Sequence, residues 1–192
     1  MTETWFTQTR SVTDKLDEFE HKDGIGHFRR DRVTGARGGG VAIFFDKSRI
    51  AMSRARIPHS KHEVIAAIGR RTGQRRKCLV IAAYLPPWYN AAQNTSVYKY
   101  INDCITLLLN RYDEPYLVLA GDFNRRDIGR AAGNFPLIKT IQTPPTRGSA
   151  VLDIMATNMN DLLIDSGVTD PITTEEGAVS YTHLTLPTTP YV

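Results

Sequence analysis

Apolar residues fall into short runs, each closed by glycine, proline or a polar cluster, and one longer stretch has helical period. The short runs predict strands. Residues 25–32 alternate weakly, as an edge strand does. Val41-Ala42-Ile43-Phe44-Phe45 follows Gly38-Gly39-Gly40, a tight turn into a buried strand. That triple glycine precedes a strand and lacks a following Lys-Ser/Thr, which argues against a phosphate-cradling P-loop. Further strands are predicted over residues 50–57, 63–68 and 79–84, and the Arg71-Thr72-Gly73 turn suits an antiparallel run. Residues 79–83 are apolar throughout, the pattern of a strand covered on both faces. Pro86 and Pro87 stop any ladder beyond Tyr84. Over residues 94–112, Val97, Ile101, Cys104, Ile105 and Leu108 recur at steps of three and four, which predicts a helix with one apolar face. An apolar run then ends in Gly121-Asp122-Phe123-Asn124. Residues 151–157 and 162–168 complete the strands, the former carrying Asp153 among apolar neighbours. Residues 11–22 read as a loop or short helix, 123–134 as polar with a short helix, and 143–149 as a loop. No internal repeat is present.

Composition narrows the class. The chain has 192 residues, 41% hydrophobic and 23% charged, enough for one domain with a sizeable core. No apolar run approaches the roughly 20 residues of a membrane helix, and the N-terminus has no basic and apolar leader. An intracellular protein of nucleus or cytoplasm is expected, neither secreted nor membrane-bound. Cys78 and Cys104 are too few for a disulfide framework or a zinc site and are expected as buried thiols. The net charge of +4 is compatible with nucleic acid without requiring it.

The candidate chemistry lies at strand ends. A strand that stops on Asp122 and Asn124 delivers two oxygen ligands to a sheet edge, which suits a hard divalent cation. The same tetrapeptide also suits a plain Asp-Xaa-Asn turn. Glu3, Tyr84 and Asp153 are polar groups on or at the ends of other strands, and a sheet assembles a site from such positions. Phosphodiester cleavage needs charge neutralisation and an in-line water, and these groups are suited to both.

Glu3-Thr4-Trp5, Gly38-Gly39-Gly40-Val41-Ala42-Ile43, Tyr84-Leu85-Pro86-Pro87, Gly121-Asp122-Phe123-Asn124 and Thr146-Arg147 with Leu152-Asp153 occur in this order. Together they resemble the endonuclease/exonuclease/phosphatase superfamily, in particular the apurinic-type endonuclease domain of non-LTR (LINE-type) retrotransposons. The resemblance covers roughly residues 1–177. It implies an α/β fold, a four-layer α/β sandwich of two packed mixed sheets flanked by helices. It implies Mg²⁺ (or Mn²⁺) held by Glu3, Asp122 and Asn124, with Tyr84 on the scissile phosphate. Asp122 would activate or orient the water, Asn124 would contact metal and phosphate, and Asp153 would orient a catalytic histidine. Each position has a structural alternative: Glu3 in a tail, Tyr84 in the core, Asp153 satisfied by backbone donors. Arg125, Arg126 and Arg147 are candidate DNA contacts, with Arg29, Arg30, Arg32, Arg37 and the Arg70 to Lys77 turn as further basic groups, or as a solvated face.

Two elements of the family pattern are not in the sequence: an asparagine strand that would precede Met1, and a closing Ser-Asp-His. The chain is therefore expected to be truncated at both ends. Ser180-Tyr181-Thr182-His183 stands near the place of the latter. However, residues 179–188 can be encoded by GTC TCT TAT ACA CAT CTG ACG CTG CCG ACG, a transposase adapter used for sequencing libraries. A sample index over residues 189–191 and a GTG TAG continuation would then give Val192 and a stop. Residues 178–192 are accordingly expected to be non-native, and His183 not catalytic.

The sequence thus favours a Mg²⁺-dependent DNA-nicking endonuclease domain of a retrotransposon polyprotein, with a reverse transcriptase domain downstream and DNA as partner. Little or no turnover is expected from this fragment itself, which is expected to be inactive. The alternatives are a phosphatase of the same fold acting on an inositol-phosphate or lipid substrate, and a catalytically dead nucleic-acid-binding fragment.

Overall fold

The computed structural model describes residues 24–32, 39–124, 135, 138–141, 145 and 151–159, and as backbone 165–168, 172–174, 177–179 and 182–185. Its centre is a six-stranded mixed sheet. The strands are β3 (Ile50–Arg54), β4 (Val64–Arg71), β5 (Cys78–Tyr84), β6 (Tyr116–Asp122), β7 (Lys139–Ile141) and β8 (Asp153–Thr157), ordered β3-β4-β5-β6-β8-β7. All neighbours run antiparallel except β5 and β6, which are parallel and in register from Cys78↔Tyr116 to Tyr84↔Asp122. Parallel neighbours need a crossover, and the helix α1 (Ala91–Arg111) supplies it.

Alternation along the strands sorts the core into two layers. Val64, Ala66, Ile68, Leu79, Ile81, Ala83, Leu117 and Leu119 meet Val97, Ile101, Ile105 and Leu108 of α1. Ile65, Ala67, Ala82 and Tyr84 point the other way. They meet Val41 and Ile43 of a two-stranded sheet, β1 (Ile25–Arg30) paired antiparallel with β2 (Val41–Asp46). The β5 interior is covered on both faces, as its unbroken apolar run predicts. Helix, central sheet and second sheet give three of the expected four layers among the described residues.

α1 begins at Ala91, three residues before the predicted start. Asn90 caps it: its side chain accepts the Gln93 backbone N–H at 2.9 Å, and the Gln93 side chain accepts the Asn90 N–H at 2.9 Å. This reciprocal pair satisfies two otherwise unpaired donors. β3 stops at Arg54 rather than residue 57, and β8 begins at Asp153 rather than residue 151, so Asp153 opens its strand. Cys104 is buried, whereas Cys78 is only partly so, correcting the expectation that both are buried; burial pushes each thiol up to about 11.

Towards the C-terminus, β9 (Asp165–Val168) pairs with β12 (Thr182–Thr185), and β10 (Ile172–Thr174) with β11 (Gly177–Val179). His183 lies opposite Gly167 in this pairing. Threonine-rich, uncharged backbone pairs readily whatever its origin.

Candidate active site

The parallel β5–β6 pair brings Tyr84 and Asp122 to the same edge of the sheet, and the antiparallel β6–β8 pair sets Asp153 opposite Asp122. In-register residues on adjacent strands share a face, so Tyr84, Asp122 and Asp153 form one row, about 10 Å across at the usual strand spacing. That row faces the β1–β2 layer, where Tyr84 packs. Three side chains from residues 84 to 153 are thus brought together by strand pairing alone.

Gly121 is what lets the strands close here. A Cβ on it would run into the carbonyl oxygen of Ala83 on the neighbouring strand. Beyond Asp122 the chain turns at once. The Asn124 backbone N–H donates to Asp122 Oδ1 at 2.8 Å, and Asn124 sits at φ 47°, a left-handed conformation that asparagine tolerates. Its Nδ2 donates to the Leu85 carbonyl at 2.7 Å, and the Leu85 N–H donates to the Asp122 carbonyl at 2.9 Å. The carboxamide nitrogen is therefore used within the fold, which leaves Oδ1 as the atom suited to a ligand. The turn reading and the ligand reading of Gly121-Asp122-Phe123-Asn124 coexist: the Asx turn is what orients both groups.

The donor set fits a hard divalent cation. Asp122 and Asp153 stand directly opposite on antiparallel strands, where like charges repel, and a cation between carboxylate and carboxamide oxygens relieves that repulsion. Glu3, the third expected metal ligand, lies outside the described residues, as do Arg125, Arg126 and Arg147. Among the described residues no three His, Cys, Asp or Glu side chains cluster.

A second, buried network borders the row. Arg32 Nε donates to Glu63 Oε1 at 2.7 Å, with both side chains under 10% exposed, and the Gly40 backbone N–H donates to Glu63 Oε2. The Arg32 guanidinium carbon lies 5.4 Å from the Tyr84 ring centroid and 5.1 Å from that of Trp88. Burial by itself would lower the Arg32 pKa. The hydrogen bond and charge of Glu63, and then Tyr84, outweigh it and raise the value. Arg32 is thus not simply a phosphate-contacting group on a basic face. It is half of an internal ion pair, and the Gly39-Gly40 turn makes room for it, since a Cβ at Gly39 would meet the guanidinium. The sequence offered one signal for Glu63: a single carboxylate at the mouth of an apolar strand needs a cation if buried.

Arg37 also lies outside the described residues; the other described basic groups are engaged or remote. Arg29 pairs with Asp31 at 3.4 Å, Arg30 donates to the Ser60 carbonyl, and Arg76 lies over the Tyr116 ring and donates to the Glu114 carbonyl at 2.7 Å. The Arg70 to Lys77 turn joins β4 to the start of β5. Tyr84 ends that strand, about 20 Å away at the usual rise per residue.

These features define an endonuclease/exonuclease/phosphatase fold: a mixed sheet between helix and second sheet, with acidic strand ends gathered at one edge. The solved structures it matches have that fold. One is the catalytic domain of human Nocturnin with bound sulfate, at 14% identity over 99% of this chain and 74% of that one, TM-score 0.57. Another is the endonuclease domain of TRAS1, a telomere-specific non-LTR retrotransposon, at 13% identity over 85% and 79%, TM-score 0.60. A third is a mannosyl-6-phosphatase of Bacteroides thetaiotaomicron, at 11% identity over 91% and 82%, TM-score 0.66. No protein-family model and no curated protein matches the sequence.

Proposed function

We propose that the chain is a metal-dependent phosphodiester hydrolase of the DNA-nicking type, from a non-LTR retrotransposon polyprotein that also carries a reverse transcriptase. The observation that carries the reading is the Tyr84–Asp122–Asp153 row with Asn124 fixed beside it. The order of the sequence motifs and the likeness to the TRAS1 endonuclease domain support the retrotransposon branch. Asp122, Asn124 and, in the family pattern, Glu3 would hold Mg²⁺ or Mn²⁺, which supplies charge neutralisation at phosphate. Asp122 would orient the attacking water, Tyr84 would donate a hydrogen bond to phosphate, and Asp153 would position a histidine. Arg125, Arg126 and Arg147 would contact the DNA backbone.

The test is conversion of supercoiled plasmid to open circle, run beside hydrolysis of inositol phosphate and mannose 6-phosphate. Slow nicking is expected from this 192-residue chain, stopped by chelation and lowered at least about a hundredfold by Asp122→Asn, since a charge-positioning group is lost. Release of inorganic phosphate from the small substrates without nicking would overturn it. That outcome would favour the second reading, a phosphatase, which the likeness to the mannosyl-6-phosphatase supports. Metal-dependent DNA binding without any cleavage would identify a catalytically silent nucleic-acid binder.

A further inference from the structure

Among the described residues, Trp88 is the most exposed large apolar side chain, at 61%, whereas Phe44 and Leu107 are near 36%. It stands on the turn that leaves the candidate site. Leu85, at the start of that turn, is hydrogen-bonded to both Asp122 and Asn124. Pro86 and Pro87 fix two backbone φ angles. The Tyr89 N–H donates to the Pro86 carbonyl at 3.2 Å, closing the turn around Pro87 and Trp88. Beyond it, Asn94 Nδ2 donates to the Tyr89 carbonyl at 3.2 Å, and Asn90 caps α1. The indole is therefore carried on backbone held at both ends. An aromatic plane presented on a fixed turn binds with little ordering cost.

Its neighbour is as informative as its exposure. Arg32, locked by Glu63, lies 5.1 Å from the indole and 5.4 Å from the Tyr84 ring. One cation thus lies between the exposed indole and the Tyr84 end of the row. A ligand matching both ends has a phosphate for the row and a flat π face for the indole. A nucleotide has both; a sugar phosphate has no π face. In a duplex the base faces are already stacked on each other, so an indole can take only a base that is unpaired.

Resting on the nuclease reading, we propose that Trp88, braced beside Arg32, is a stacking platform for an unpaired nucleobase of the strand whose phosphate occupies the Tyr84–Asp122–Asp153 row. It would give the site a preference for single-stranded or locally opened DNA over closed duplex.

The chain has two tryptophans, Trp5 and Trp88, so Trp5→Phe isolates the Trp88 emission. That variant is titrated with a short single-stranded oligodeoxynucleotide, with Ca²⁺ replacing Mg²⁺ to suppress cleavage. An oligonucleotide of equal length built from abasic sites, which keeps the phosphates and loses the bases, is the control. Quenching by the base-bearing strand is expected; by fluorescence anisotropy of a dye-labelled strand, which needs no tryptophan, Kd should be about tenfold weaker for the abasic strand and for Trp88→Ala, and largely restored in Trp88→Phe. Equal quenching by the abasic strand, a Trp88→Ala Kd within about twofold of the parent, or no measurable binding would overturn it. Base-dependent quenching without plasmid nicking would leave the platform standing and remove the nuclease. Nicking without base dependence would do the reverse.

Discussion

Asp122 and Asp153 oppose each other on β6 and β8, and Asp122 is the proposed metal ligand of the two. Asp122→Asn should lose most of any rise in melting temperature produced by Mg²⁺, because the cation binds only the folded state; thermal melts with and without Mg²⁺ check this. His62 is a separate titrating position, buried with Nε2 3.1 Å from Ser96 Oγ. Burial, then the charges of Lys61 and Arg30, lower its pKa. The unfolded chain therefore binds a proton that the folded one refuses, and stability must fall as pH drops below about 6.5. Denaturant titrations across that window should show the slope, and His62→Gln should flatten it. Tyr84 and Asp122 were legible as candidates because each closes an apolar run, and Asp153 as a carboxylate among apolar neighbours. The Arg32–Glu63 pair was not: its members are 31 residues apart and belong to no shared period.

The β5–α1–β6 unit places Tyr84 beside Asp122, and its weak points follow from how it closes. Gly121→Ala forces a methyl group against the Ala83 carbonyl in a parallel pair with no room to part. A loss of about 3 kcal/mol is expected by denaturant titration. Asn90→Ala removes the cap of α1 and should cost about 1 kcal/mol by the same measurement. Apolar period located the helix, but its first turn, Ala91-Ala92-Gln93, carries no such period, so the start was legible only in the Asn90 and Gln93 pair. β7, a three-residue strand reading Lys-Thr-Ile, had no alternation long enough to be seen. Strand ends shifted for a related reason: apolar pattern records which residues are covered, whereas hydrogen bonding to a neighbour decides where a strand stops.

For the molecule as a whole, the overall sandwich was legible because strand runs, one crossover helix and motif order all agreed. The charge pattern was less informative, since arginines that look alike in sequence divide into an internal pair beside the site and a turn at the far end of β5. Among the described residues, no helix is long and apolar enough to cross a membrane. With both thiols pushed up to about 11, neither Cys78 nor Cys104 should react with a maleimide at neutral pH on the timescale of minutes. Mass spectrometry of the native and the denatured chain checks this, and prompt native modification would contradict it.

The remoteness of that far turn has a practical corollary. Arg75 is exposed and lies about 20 Å from Tyr84 along β5. An Arg75→Cys variant would offer the one fast-reacting thiol among the described residues, at the end of β5 opposite the candidate site. A dye or surface tether attached there would hold the protein with its acidic edge facing free solution, ready for single-molecule tests of the proposed DNA binding.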